Sequence, residues 1–158
     1  MEHSGADTVR NVGELRFDQI NIVVADLRAA TDFLRALGAP VPAAMPGWEE
    51  WGAHHVAFPT ADGFGADLDS SAFASNWGGL ARSFDGVVVN LRTRDRDEVD
   101  SVHDQALALG AQSLRAPYDA FWGARYAVVQ GPGPIAVGLM SPIDSRTTKP
   151  PPSLSDFA

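Results

Sequence analysis

The chain has 158 residues, 45% of them hydrophobic and none of them cysteine, a composition that suits one globular domain or two small modules and excludes disulfides, thiolate metal sites and a cysteine nucleophile. A formal net charge of −8 and a pI near 4.7 oppose nucleic-acid binding, which depends on clustered Lys and Arg. No stretch approaches the roughly 20 apolar residues of a membrane span, and the opening MEHSGADTVRNVGELRF has neither a basic n-region nor an apolar h-region, so a cytoplasmic protein with no membrane partner is expected.

Residues 1–14 show no periodicity and are expected to be mobile. From Arg16 to Val24, RFDQINIVV alternates polar and apolar residues as a strand does, with Ile20, Ile22 and Val24 on one face and Gln19, Asn21 and Val23 on the other. The spacing then becomes helical: Leu27, Ala30, Leu34 and Leu37 form one apolar face between an N-cap at Asp26 and a C′ glycine at Gly38. A Pro-containing connection leads to a strand opened by Trp51-Gly52-Ala53, then to a TADG turn and a strand from Phe64 to Asp69. Its alternation puts Gly65, Asp67 and Asp69 on the face opposite Phe64, Ala66 and Leu68.

After Ser70–Phe84, SSAFASNWGGLARSF, which reads as a linker with an ordered aromatic patch, the pattern starts again. GVVVNLR (86–92) is a strand whose inward face offers Val88, Asn90 and Arg92. A helix over 97–110 follows, with Val99, Val102, Ala106 and Leu109 as its apolar face and His103 off that face, as a solvated residue. Then come a second Pro-containing connection, Trp122-Gly123-Ala124 with its strand, a GPGP turn and a strand from Ile135 to Met140. The tail DSRTTKPPPSLSDFA (144–158) is expected to be mobile, since its proline run stops helix and ladder alike.

EWGAHHVAF (50–58) and FWGARYAVV (121–129) are therefore the same element of two copies. The tryptophans lie 71 apart (122 − 51 = 71) and the helix faces 72 apart (99 − 27 = 72), so the loop after the first helix is one residue longer than its counterpart. Each copy reads β-α-β-β-β, and the expected organisation is a first module at 15–71, a linker at 72–84 and a second module at 85–143. The fold class is α+β.

Tandem βαβββ modules forming a curved mixed sheet around a cavity, together with the closing hairpin YDAFWGARYAVVQGPGPIAVGLMSP (118–142), resemble the vicinal oxygen chelate superfamily, which includes glyoxalase I, extradiol dioxygenases, fosfomycin resistance enzymes and bleomycin-binding proteins. The resemblance covers roughly residues 15 to 143 and implies a homodimer. Metalloenzymes of that superfamily hold one divalent ion with His, Gln or Glu side chains from the first and last strand of each module. Gln19, seven residues before Asp26, stands at the first of these positions, and Asp67 at the family's Glu position. In the second module Asp67 maps onto Gly138 and the first strand offers no ligand. One amide and one carboxylate underfill a hard-ion site, so neither metal nor cofactor is expected. His54 and His55 cannot grip one ion together, because neighbours on a strand point to opposite faces.

There is no G-x-S-x-G, no G-x-x-x-x-G-K and no H-E-x-x-H in the chain. A cavity without a metal keeps its concavity, and aromatic rings with a few polar anchors suit a small molecule. Expected ligand-binding residues are Gln19, Asn21, Trp48, Asp67, Asn90, Arg92, Tyr118, Phe121, Trp122 and Met140; Trp51 and Trp77 join the aromatic residues near the mouth. No catalytic residue is assigned. The leading expectation is a metal-independent binding protein that sequesters an aromatic or hydrophobic compound, as drug- or antibiotic-resistance proteins do. The alternatives are a glyoxalase-like metal-dependent lyase or isomerase or a dioxygenase, and a cofactor-free enzyme with Asp67 as general base. Asp67, buried without a metal, is expected to pair with Gln19, Asn21, Asn90 or Arg92, best with Arg92, or else to carry a raised pKa.

Overall fold

The structure, a computed structural model, describes residues 15–43, 54–58 and 63–157. The described elements run β1 (Arg16–Val24), α1 (Leu27–Ala36), β2 (His55–Phe58), β3 (Gly65–Ser70), α2 (Ser71–Gly78), β4 (Gly86–Arg92), α3 (Arg96–Ala108), β5 (Gln112–Asp119), β6 (Arg125–Gln130) and β7 (Ala136–Met140). The seven strands form one mixed sheet in the order β2-β3-β1-β4-β7-β6-β5, which does not close on itself.

The duplication is visible in the pairing. Strand β1 runs parallel to β3, β4 runs parallel to β7, and the two halves meet where β1 and β4 lie antiparallel. Both first helices start alike, with an aspartate side chain accepting an amide of the first turn: Asp26 from Ala29 and Asp95 from Glu98, each at 2.9 Å. The caps are 69 residues apart (95 − 26 = 69), whereas the C′ glycines Gly38 and Gly110 are 72 apart. Helix α3, with 13 residues against 10, has absorbed the difference.

Helix α1 covers one face of the first half through Leu27, Val56 and Leu68, with Ile22, Val24, Ala30 and Leu34 around them. Helix α3 covers the second half through Val99, Val102, Ala127 and Leu139. Each such side chain fully removed from water contributes about 1.5–3 kcal/mol. The largest cluster lies on the opposite face of the sheet. It joins Val23 and Val88 at the seam to Phe73, Trp77, Tyr126 and Met140.

Four local expectations are corrected. The second Pro-containing connection is strand β5; Pro117 is tolerated because β5 is an edge strand, where a missing donor need not break a ladder, and its register shifts between Arg115 and Tyr118. The stretch read as a linker contains helix α2, capped by Ser70 and ended by Gly79 at φ +63°, with Phe73, Ala74 and Trp77 buried. Leu37 and Leu109 are exposed because they are the C-cap residues, beyond the last turn that touches the sheet. His103 is buried and hydrogen-bonded to Ser113 Oγ at 2.8 Å, tucked between α3 and β5. The start of the tail forms a 3-10 turn, Ser145–Thr147, bonded back to the turn after β5: Asp144 N–H and Thr147 Oγ1 both donate to the Gly123 carbonyl. Among the described residues no helix is long and apolar enough to cross a membrane.

Candidate functional site

The strand alternation brings Gln19 and Asn21 of β1 and Asp67 and Asp69 of β3 to the face away from α1, where the sheet backs a cavity of about 230 Å³. His55 of β2 joins them because its register partner is Asp69. Helix α2, which leaves β3 at once, lays Phe73 and Trp77 across one side. The other side belongs to the second module: Phe121, Trp122, Tyr126, Met140 and Ile143. One end of the cavity is thus polar and the walls are aromatic.

The walls are held edge to face. Tyr126 meets Trp122 at 5.3 Å and Trp77 at 6.0 Å between ring centroids, and Phe121 meets Trp122 at 5.1 Å. Phe121 and Trp122 sit in a turn that needs a glycine: Gly123 has φ +92°, and a Cβ there would run into the Asp144 carbonyl and Thr148 Oγ1. In the second copy the Trp-Gly-Ala signature thus serves a backbone reversal with the tail packed against it.

The polar end is a chain of hydrogen bonds across the module seam. Tyr126 Oη donates to Asn90 Oδ1 (2.7 Å), Asn90 Nδ2 to Asn21 Oδ1 (2.7 Å), and Asn21 Nδ2 to Asp69 Oδ2 (2.7 Å). His55 Nδ1 donates to Asp69 Oδ1 at 2.6 Å. Asp69 is fully buried, with a bond on each oxygen. Gln19 Nε2 bridges Asn21 Oδ1 (3.1 Å) and Asp67 Oδ2 (3.3 Å). His54, the adjacent histidine, points the other way and bonds Ser70 Oγ at 2.8 Å.

These surroundings move the proton equilibria. Burial, and then the charge of Asp69, push the Asp67 carboxyl up to about 6, with His55 opposing and Asp18 adding to the rise. Burial pulls the His55 imidazole down, but the hydrogen bond and charge of Asp69, helped by Asp67, outweigh it and leave it raised. Burial alone lowers His54.

Of the expected ligand-binding residues, Gln19, Asn21, Asp67, Phe121, Trp122 and Met140 line the cavity. Asn90 lies behind it in the hydrogen-bond chain. Tyr118 stands behind the aromatic wall, its hydroxyl donating to the Trp77 carbonyl at 2.9 Å. Trp48 and Trp51 lie outside the described residues. Arg92 is not the partner of Asp67. It opposes Arg16 on β1, whereas Asp67 opposes Asn21, and it forms a two-pronged pair with Asp18 at 3.0 and 2.7 Å. Six lining residues are not among those expected to bind the ligand: His55, Asp69, Phe73, Trp77, Tyr126 and Ile143.

The superfamily's metal positions can be tested against this geometry. Gln19 and Asp67 supply two donors, but Val88, seven residues before the Asp95 cap, and Gly138 supply none. The space is not spare: a Cβ on Gly138 would overlap Asn90 Oδ1 and Tyr126 Oη. Among the described residues no three His, Cys, Asp or Glu side chains converge to hold an ion. The residues present do not fit that metal site.

A protein of two modules, βαββ among the described residues of the first and βαβββ in the second, with an aromatic-walled cavity at their seam, is the class that fold and site define. The Glyoxalase/Bleomycin resistance protein/Dioxygenase superfamily profile matches residues 16–139, and the chain belongs to that superfamily. No curated protein sequence shows significant similarity to it. Among solved structures, the Mn(II)-bound glyoxalase from Novosphingobium aromaticivorans is similar with a TM-score of 0.52 and 15% identity, over 90% of this chain and 43% of that one. A superfamily member from Vibrio splendidus 12B01 has a TM-score of 0.50 and 14% identity, over 82% of this chain and 100% of that one. A chain described as the NAD-dependent benzaldehyde dehydrogenase from Legionella pneumophila has a TM-score of 0.54 and 12% identity, over 78% and 96%. At such identities these likenesses bear on the fold alone.

Proposed function

We propose that the protein is a metal-independent small-molecule-binding protein that sequesters a compact aromatic or hydrophobic compound. The observation that carries this reading is the filling of the second half of the metal site by the Asn90–Tyr126 pair, beside a cavity walled by Trp77, Trp122 and Tyr126. A dry cavity of about 150 Å³ is enough for benzene. At about 230 Å³ this one suits a single substituted ring. Ring faces that are already locked in place by their neighbours spend little side-chain entropy on binding.

The test is thermal unfolding with neutral one-ring compounds such as benzyl alcohol and phenol, with and without a chelator, beside elemental analysis of the purified protein. Ligand-dependent stabilisation that the chelator leaves unchanged, with well under about one divalent ion per chain, is expected. Stoichiometric metal, or stabilisation that the chelator abolishes, would sink the proposal.

One observation favours a second reading, a cofactor-free enzyme with Asp67 as general base: its carboxyl titrates at about 6, near the pH at which a base works best. Turnover of a bound compound that is lost in Asp67→Asn and survives chelation would select it.

A further inference from the structure

The cavity carries a charge preference as well as a shape. Among the described residues the titratable side chains that line it are two aspartates and one histidine, with no lysine or arginine. Arg92, on the neighbouring strand β4, is taken up by Asp18 and by the Ser141 carbonyl at 2.9 Å. With both aspartates ionised, the cavity is therefore net negative even when His55 is protonated. The two carboxylates are also not equivalent. Asp69 has both oxygens engaged by Asn21 and His55, whereas Asp67 accepts from Gln19 alone, at 3.3 Å on Oδ2, and its Oδ1 accepts no hydrogen bond from any described residue. Opposite this half-used carboxylate stand indole and phenol rings, whose faces attract positive charge.

We infer, on the reading of the cavity as a small-molecule site, that its ligand is a compact organic cation, a protonated amine whose nitrogen meets Asp67 and whose apolar body lies against Trp77, Trp122 and Tyr126. A metal ion is a poor occupant, because Asp69 has no oxygen to spare and among the described residues no three His, Cys, Asp or Glu side chains converge to hold one. An ammonium group needs no fixed coordination number. One charge-assisted bond to Asp67 and contact with the rings satisfy it. A carboxylate ligand would meet Asp67 and Asp69 with like charge, which disfavours it.

Three probes of nearly equal size separate charge from shape: benzylamine (cationic at neutral pH), benzyl alcohol (neutral) and benzoate (anionic). Binding is read by quenching of tryptophan fluorescence and by thermal shift, in the wild type and in Asp67→Asn. Benzylammonium is expected to bind at least about tenfold more tightly than benzyl alcohol, and benzoate to show no binding. Asp67→Asn should remove that preference, with benzylammonium affinity falling at least about tenfold more than that of benzyl alcohol, and continued binding of benzyl alcohol shows that the cavity persists in the variant. Benzyl alcohol binding as tightly as benzylammonium, benzoate binding at all, or unchanged benzylammonium affinity in Asp67→Asn would overturn the inference and leave the small-molecule reading standing. Failure of both benzyl alcohol and benzylammonium to bind up to about 10 mM would overturn both.

Discussion

Replacing Asp67 by asparagine should stabilise the empty protein. Its carboxyl titrates at about 6 in the fold against 3.8 for the unperturbed side chain. A carboxylate with a raised folded pKa opposes folding, and the opposition is complete above about pH 6, shrinks as the pH falls, and is gone below the unfolded value. The gap, at about 1.36 kcal/mol per pH unit, corresponds to roughly 3 kcal/mol at most. Asparagine keeps the shape and the acceptor for Gln19, so the substitution should yield about 1–3 kcal/mol at pH 8, or a few degrees in melting temperature for a chain of this size. Below about pH 4 the two proteins should be equally stable. Urea unfolding followed by tryptophan fluorescence from pH 4 to pH 8 measures the difference directly. A variant less stable than wild type at pH 8, or a difference that does not change with pH, would show that Asp67 is solvated and not held at a cost by its surroundings.

Asp69, two residues along the same strand, should respond in the opposite way. Both of its oxygens accept bonds, so Asp69→Asn sets one amide donor against the donor of Asn21 or His55 and should cost about 2–4 kcal/mol in the same urea measurement at pH 7. Gly138→Ala should lose about 1–3 kcal/mol, because the new methyl displaces the Asn90–Tyr126 pair. Benzylammonium affinity should be steady above about pH 7 and fall as the pH drops through about 6, since protonation of Asp67 removes its charge. Asp69 and Asp18 face Asp67 as like charges and His55 as an opposing one, so protonation of His55, itself favoured by the two aspartates, deepens the same loss; fluorescence titration at stepped pH reads it.

Most of the frame and half of the site are legible in the sequence, for identifiable reasons. Period-two alternation placed Gln19, Asn21, Asp67 and Asp69 on one face, because a half-buried strand allows only two faces. The Asp26 cap and Gly38 are local devices that sequence states outright. What was missed depended on register or on tertiary context. The His55–Asp69 pair exists only because β2 aligns those two residues, and nothing local sets that alignment. Helix α2 was hidden by serines, asparagine and glycines that read as a linker. Its signal was present in Phe73 and Trp77, one helical turn apart between Ser70 and Gly79. Arg92 and Asp67 share an inward direction by alternation but stand several rungs apart along the sheet, a distance that direction alone does not encode.

The two copies diverged in complementary ways, and the divergence explains why the aspartates differ. Val88 and Gly138 supply no donor to the superfamily's metal position, and the bare Cα of Gly138 leaves the space into which Tyr126 and Asn90 pack. The chain of bonds they start has a phenol at one end, which donates, and a carboxylate at the other, which only accepts. Both amides between them are thereby oriented, with Asn90 and Asn21 each receiving on oxygen and passing a hydrogen onward to Asp69. Asp69 is thus consumed in joining the modules, which leaves Asp67 as the cavity aspartate with an oxygen that accepts no hydrogen bond from any described residue. A buried charge held short of partners opposes folding of the empty protein and favours whichever ligand completes it. The cost that Asp67 places on the empty protein and the selectivity inferred for the cavity are two expressions of the same missing partner.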